Sequence, residues 1–272
     1  MTAQPTAFHD FEHAGWERAA EYYGDAFGAL TEQTAGPILD AVRAAPATRL
    51  LDVATGPGFV AAAAAQRGAA VVGLDFSAAM VAEARRRHPA IEFREGDAGT
   101  LPFDAASFDT VVMNFGMLHL ARPDAAIAEA WRVLKPGGGY AFTVWASPDR
   151  TVGFQLALRA VETLGEKDVA LPEGPPMFYF SDAAETRRTL EQAGFASVTV
   201  AELPLTWRLA SADAVFAALS QGGVRMAAVL RAQTPGALAA IRAAVRSGVE
   251  AYAHDGGFAI PMPAVLASCR KP

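Results

Sequence analysis

Residues 50–60 read Leu50-Leu51-Asp52-Val53-Ala54-Thr55-Gly56-Pro57-Gly58-Phe59-Val60. An apolar run enters, an acid stands near its end, glycines make a tight turn, and an Ala-rich helix leaves. An apolar strand, a glycine turn and a helix start bring backbone close to a nucleoside ligand at the strand ends of an open α/β sheet. A Cβ at the glycine positions would hold that ligand off. A second acid, Asp75, closes the next apolar run, Val71-Val72-Gly73-Leu74. Its distance from the turn suits a carboxylate that accepts hydrogen bonds from both hydroxyls of a ribose.

Outward from this stretch the chain alternates. Strand 50–53 precedes helix 59–67, which Gly68 stops as a C-cap. Strand 70–74 precedes helix 78–87 with Ser77 as N-cap. Strand 91–94 leads into Glu95-Gly96-Asp97-Ala98, and strand 109–114 into a helix from about Pro123 to Leu134. Lys135-Pro136-Gly137-Gly138-Gly139 is expected as a turn before strand 140–145. With no hairpin signal between them, these units predict an α/β chain with a parallel sheet covered on both faces.

The flanks are less regular. Trp16, Ala20, Tyr23, Phe27 and Leu30 mark one face of a helix interrupted by Gly24 and Gly28. Gly36-Pro37 opens a short helix that Pro46 ends. A helix is expected at 150–165, a Pro-rich loop at 166–180, and a helix from Ser181 as cap to about Ala193. Strand 196–206 follows. Two or three helices fill 211–253, the last capped by Thr234, and a final apolar run spans 258–268.

Composition narrows the function classes. The chain has 272 residues, 52% hydrophobic and 19% charged, as expected of a compact globular protein. A net charge of -6 and a pI near 5.4 argue against a nucleic-acid partner, which would call for clustered cations. Arg85-Arg86-Arg87 reads as a solvated helix end. The single cysteine, Cys269, excludes an internal disulfide. With no signal-peptide pattern and no apolar run of membrane-spanning length, a cytoplasmic protein is expected.

Gly56-Pro57-Gly58-Phe59-Val60-Ala61 satisfies G-x-G-x-x-G/A, a weak match taken alone. Asp52 at the strand end would repel a pyrophosphate and attract a ligand carrying an ammonium and a sulfonium. Asp97 offers a carboxylate to an exocyclic adenine amine. Phe108-Asp109-Thr110-Val111-Val112-Met113-Asn114 and Arg132-Val133-Leu134-Lys135-Pro136-Gly137-Gly138 complete the pattern.

With these motifs in this order the chain resembles the class I S-adenosylmethionine-dependent methyltransferases, especially the ubiquinone and menaquinone biosynthesis branch. The resemblance covers about 16–146 and resumes at Phe180-Ser181-Asp182 and Ala193-Gly194-Phe195. It implies a doubly wound, mostly parallel seven-stranded sheet of Rossmann-like type. An N-terminal helical cap (1–47) would precede the methyltransferase domain (48–272), whose helical lid lies in about 150–180 and 207–257. It also implies that Asp52 and the backbone of Ala54, Gly56 and Gly58 cradle the methionine part of the cofactor. Asp75 would hold the ribose, with Phe76 and Met80 against the adenine and Asp97 and Ala98 at its edge. Asn114 and Phe115 would face the methyl, and Trp16 and Tyr23 would close the site. Ala54 departs from the usual D-x-G-x-G-x-G pattern.

Methyl transfer requires alignment of nucleophile, methyl and sulfur and exclusion of water. An oxygen acceptor also needs a base, and His119, after the fourth strand, is the candidate, with His254 a second choice. The His9, Asp10, Glu12 and His13 cluster reads as a solvated N-terminus without a metal. Met177, Phe178, Tyr179, Phe180, Trp207, Phe216 and Met226 would shape an apolar pocket for a small aromatic or lipophilic acceptor. Two alternatives use the same glycine turn: an NAD-dependent oxidoreductase and a non-catalytic S-adenosylmethionine-binding protein. A hydrolase is disfavoured because no G-x-S-x-G elbow occurs.

Overall fold

The computed structural model of the chain describes residues 5–272; residues 1–4, the start of the expected cap, lie outside the described residues. Five strands run parallel: β1 (Arg49–Val53), β2 (Ala70–Asp75), β3 (Glu92–Glu95), β4 (Phe108–Asn114) and β5 (Leu134–Trp145). The C-terminal part adds β6 (Ala196–Leu203), β7 (Thr206–Leu209), β8 (Ala253–His254), β9 (Gly257–Pro261) and β10 (Ala264–Arg270). The main sheet has seven strands in the order β3-β2-β1-β4-β5-β10-β6, with β10 antiparallel to both neighbours. The strand order reverses between β1 and β4, the place where an open α/β sheet binds its ligand.

The helices are α1 (Pro5–Tyr23), α2 (Ala29–Thr31), α3 (Ala35–Ala41), α4 (Phe59–Gln66), α5 (Ala78–Arg87) and α6 (Pro123–Val133). They continue with α7 (Val152–Leu164), α8 (Ala183–Gln192), α9 (Asp213–Gln221), α10 (Arg225–Arg231) and α11 (Pro235–Val249). Both sheet faces are covered, which is why the central strands are buried along most of their length. Leu50 and Val112 pack with Ile38, Leu39, Val60 and Ala64 on one face. Leu51, Val111 and Met113 share the other core with Ile127, Ala130 and Val133. No helix among the described residues is long and apolar enough to cross a membrane.

Several local features differ from expectation for identifiable reasons. The expected strand 196–206 is two strands in two sheets, and so is the run 258–268. Pro204 and Pro263 stand at the breaks, where a missing N–H ends a ladder. The split lets β7 and β9 form a second sheet with β8. β8 and β9 are a hairpin around Asp255-Gly256, whose φ angles of 46° and 77° suit a tight two-residue turn. That signal is masked in the sequence by the brevity of β8. Lys135–Gly138 is a bulge inside β5 and not a turn before it: the partner of Phe108 is Leu134, and that of Thr110 is Gly139. Ser77 caps α5, accepting from Met80 N, but α8 is capped by Asp182 and not by Ser181. The Asp182 carboxylate accepts from two backbone N–H groups, while the Ser181 hydroxyl donates to Phe178 O. The helix face expected from Trp16 to Leu30 is interrupted by a π-turn over Gly24–Gly28.

Candidate functional site

A cavity of about 670 Å³ lies over the C-terminal ends of the parallel strands at the switch point. The expected residues Trp16, Tyr23, Asp52, Ala54, Gly56, Asp75, Phe76 and Met80 are on its wall, as are Asp97, Ala98, Asn114, Phe115 and His119. Gly58 is not. It has φ +85° at the start of α4, and a Cβ there would meet the Phe93 ring at 2.9 Å. Packing of the helix start, not approach to a ligand, accounts for that glycine. Gly56 is different: its φ is +52°, and a Cβ would meet no protein atom within 4 Å, so its open side faces the cavity it lines.

The floor carries two buried acids. Asp52 is 1% exposed; its Oδ2 accepts from Thr55 Oγ1 at 2.7 Å and Ala61 N at 3.0 Å. Burial pushes its carboxyl up to about 7 against those bonds, with the Asp75 charge adding to the rise. Asp75 accepts from Gly56 N at 2.8 Å and Ser77 N at 3.0 Å, and burial pushes it up to about 6. The Asp52 Oδ1 atom, by contrast, is buried without any partner among the described residues. An orphaned carboxylate oxygen costs free energy that a cationic ligand would offset.

Ala54 adopts φ +53°, a left-handed conformation that glycine takes more easily. Its Cβ has room because residue 116 is glycine: a Cβ on Gly116 would lie 2.5 Å from it. Asn114 is held from three sides. Its Oδ1 is 2.6 Å from both Thr34 Oγ1 and Thr143 Oγ1, and its Nδ2 donates to Thr31 O.

The roof corrects one expectation outright. The His9 to His13 segment is not a solvated tail but part of the N-terminal half of α1, whose His9 lines the cavity. His9 Nε2 lies 2.9 Å from Asp97 Oδ2, and Phe76 meets the rings of His9 and His13 edge-on. Glu17 accepts from Ser77 Oγ at 2.7 Å, tying α1 to the start of α5. Glu12 is wholly buried, between His119 Nδ1 at 2.9 Å and Arg225 Nε at 2.8 Å. Extending the Trp16 stripe back by four residues would have reached Glu12, the signal that sequence patterning held for it.

His119 therefore stands on the cavity wall at 18% side-chain exposure, backed by Glu12 and met edge-on by Trp16 at 4.7 Å. His254 is exposed in the β8–β9 turn beside Asp255, away from the cavity, and falls out of consideration as a base. Met177, Phe178 and Met226 line the cavity as expected. Tyr179, Phe180, Trp207 and Phe216 do not. Phe180 packs edge-on against Phe142, Trp207 stacks on Phe27, and Tyr179 donates to Glu185. Phe154, Leu158, Leu219 and Val229 take their places on the wall. Helical spacing marked none of these four, because a helix face turned to a cavity and one turned to a core look alike in sequence.

A cleft at the strand switch point, lined by a glycine turn and two buried acids, defines a nucleoside-cofactor-binding α/β protein. A family model described as a methyltransferase domain matches residues 51–142. A demethylmenaquinone methyltransferase of Paenarthrobacter aurescens is 30% identical over 175 residues, covering 61% of this chain and 69% of the relative. That of Renibacterium salmoninarum is 40% identical over 139 residues, covering 50% of this chain and 59% of the relative. A third such enzyme, of Beutenbergia cavernae, is covered to 51%, so the chain spans between half and seven-tenths of the length of these relatives. The chain belongs to the class I S-adenosylmethionine-dependent methyltransferases, of the menaquinone-biosynthesis-like type.

Solved structures agree on the fold. A phosphoethanolamine N-methyltransferase 2 of Haemonchus contortus, in complex with S-adenosyl-L-methionine, aligns with TM-score 0.61 at 20% identity. That alignment covers 97% of this chain and 60% of the other. A (4+2)-cyclase shares the fold at TM-score 0.54 and 23% identity, covering 89% of this chain and 80% of the other. The fold alone thus leaves the reaction open, and the site must carry it. S-adenosylmethionine is the cofactor of the family, and the residues present fit it. Asp52 has an unsatisfied oxygen for its ammonium, and the open side of Gly56 leaves room beside Asp75.

Proposed function

We propose that the protein transfers the methyl group of S-adenosylmethionine to a small, apolar phenolic or hydroquinone-type acceptor. The observation that carries this reading is one cavity lined both by acids at the strand ends and by apolar side chains from segments outside the sheet. Asp52 and Asp75 lie at the strand ends; Phe154, Leu158, Met177, Phe178, Met226 and Val229 lie above. The names of the demethylmenaquinone methyltransferase relatives support a quinone-like ring for the upper part.

When bound, the cofactor supplies an electrophilic methyl on a sulfonium that departs as a neutral thioether. Asp52 holds its ammonium, Asp75 the ribose hydroxyls, and Asp97 with Ala98 the adenine edge. Asn114, fixed by Thr34 and Thr143, and Phe115, its ring tilted against Trp145 with centroids 4.2 Å apart, form a rigid wall beside the reacting groups. Rigid placement converts a bimolecular displacement into an oriented one. His119 takes the hydroxyl proton of the acceptor, raising electron density on the phenolic oxygen and ring. α1, α7, α9 and α10 cover the strand ends and exclude water.

The test uses methyl-labelled S-adenosylmethionine against hydroquinones and naphthols, with simple amines and phosphorylated acceptors alongside. Label should move to the apolar phenolic acceptors. Transfer only to charged acceptors, or tight cofactor binding with no transfer to any class, would overturn the reading.

A further inference from the structure

Glu12 is an acid with no access to solvent, at 0% side-chain exposure, where three separate elements meet. It belongs to α1, His119 to the turn after β4, and Arg225 to α10. Burial pushes its carboxyl up, and the charges and hydrogen bonds of His119 and Arg225 outweigh that, holding it below the ordinary glutamate range. The group is therefore an ionised carboxylate, which can only accept. Its contact with His119 Nδ1 at 2.9 Å then requires the hydrogen to sit on Nδ1. In the neutral ring the lone pair is left on Nε2, which has no protein partner among the described residues. Arg225 is itself anchored, donating to Leu118 O at 2.7 Å and Pro175 O at 3.1 Å. The Glu12 carboxylate is thus fixed from behind as well as in front.

We propose that Glu12 is a positioning residue for methyl transfer: it sets the tautomer and orientation of His119 so that Nε2 presents its lone pair to the acceptor. When Nε2 takes the acceptor's proton, the Nδ1–H stays bonded to Glu12, whose charge compensates the imidazolium; the proton then leaves Nε2 to solvent. The proposal rests on the assignment of His119 as the base. A merely structural Glu12, latching α1 to α10, would affect stability without selecting a tautomer.

The test compares the full-length parent with Glu12→Gln, His119→Ala and the double variant, all at saturating cofactor. Glu12→Gln keeps the shape and should lower kcat by about 10- to 100-fold, less than the roughly 10²- to 10⁴-fold that general-base catalysis contributes because His119 itself remains, with S-adenosylhomocysteine affinity unchanged. In the His119→Ala background the same change should cost nothing further, because the two groups act as one. Long-range proton–nitrogen spectra of the imidazole should show Nδ1–H in the parent and a mixture of tautomers in Glu12→Gln. Glu12→Asp should restore part of the rate. Additive losses, or a parent-like tautomer in Glu12→Gln, overturn the proposal. So does parent-like turnover in Glu12→Gln where His119→Ala is impaired. Unchanged turnover in His119→Ala alone overturns the base assignment and the proposal with it.

Discussion

Asp75 faces Asp52 across the glycine turn, and its charge adds to burial in pushing the Asp52 carboxyl up to about 7. Asp75 itself is pushed up to about 6, chiefly by burial. Each acid is raised above its unfolded value of 3.8. Protonation therefore stabilises the ligand-free fold, fully below that unfolded value, and the contribution is lost as pH rises through about 6 and about 7. Binding of a cationic cofactor runs the other way, since its ammonium favours ionised acids. The melting midpoint shift produced by S-adenosylmethionine should be larger at about pH 8 than at about pH 5. A shift independent of pH over this window would remove Asp52 from the cation site.

Asp52→Asn keeps the shape and removes the charge. Cofactor affinity should fall by about 10- to 100-fold, since a hydrogen bond to a charged group is worth about 1.5–3 kcal/mol. The ligand-free protein should be no less stable, because a buried charge is gone. Calorimetric titration beside a thermal melt checks both halves; parent-like affinity would contradict the role.

Asp75→Ala should weaken cofactor binding while the chain still folds. Its carboxylate also satisfies Gly56 N and Ser77 N, so a modest stability loss of about 1–3 kcal/mol should accompany it. Affinity equal to that of the parent would exclude the ribose assignment.

Ala54 and Gly116 form a coupled pair. Gly116→Ala would place two methyl carbons 2.5 Å apart and press on Met113 at 2.8 Å, which should cost about 1–3 kcal/mol by overpacking. Ala54→Gly should recover part of that cost in the double variant, and only part, because the Met113 clash persists. Denaturant melts of the four proteins measure the coupling. Strictly additive losses would show that the two residues do not compete for the same space.

Met226→Trp should fill the upper cavity and lower kcat/KM for a bulky acceptor while leaving S-adenosylhomocysteine affinity within about twofold of the parent, the scatter expected for a distant site. Equal loss of both would place Met226 against the cofactor.

The parallel half of the fold was legible because β1 and β2 are short apolar runs with an acid at or near the end, each followed by turn and helix-start signals. Leu50 to Val60 shows this most plainly: strand end, turn and helix start are all local, so periodicity and turn chemistry suffice. The antiparallel edge was less legible. β6 and β7, or β9 and β10, read as single runs because prolines, Pro204 in one and Pro261 and Pro263 in the other, are the marks of a change of sheet. At the site, Asp52, Gly56 and Asp75 could be found from their motif. Glu12 could not be placed as readily, because its burial depends on Arg225, which lies 213 positions away. Tertiary pairing of that kind leaves little trace in a single sequence. Ala54 illustrates the converse: its departure from the usual glycine is explained only by the missing Cβ of Gly116.

The most direct measurement is an equilibrium titration of the full chain with S-adenosylhomocysteine and, separately, with NAD. Saturable one-to-one binding of S-adenosylhomocysteine, weakened in Asp52→Asn and Asp75→Ala, with no binding of NAD, is the expected result. Binding of NAD without S-adenosylhomocysteine would contradict the assignment of the cavity and of the acids beneath it.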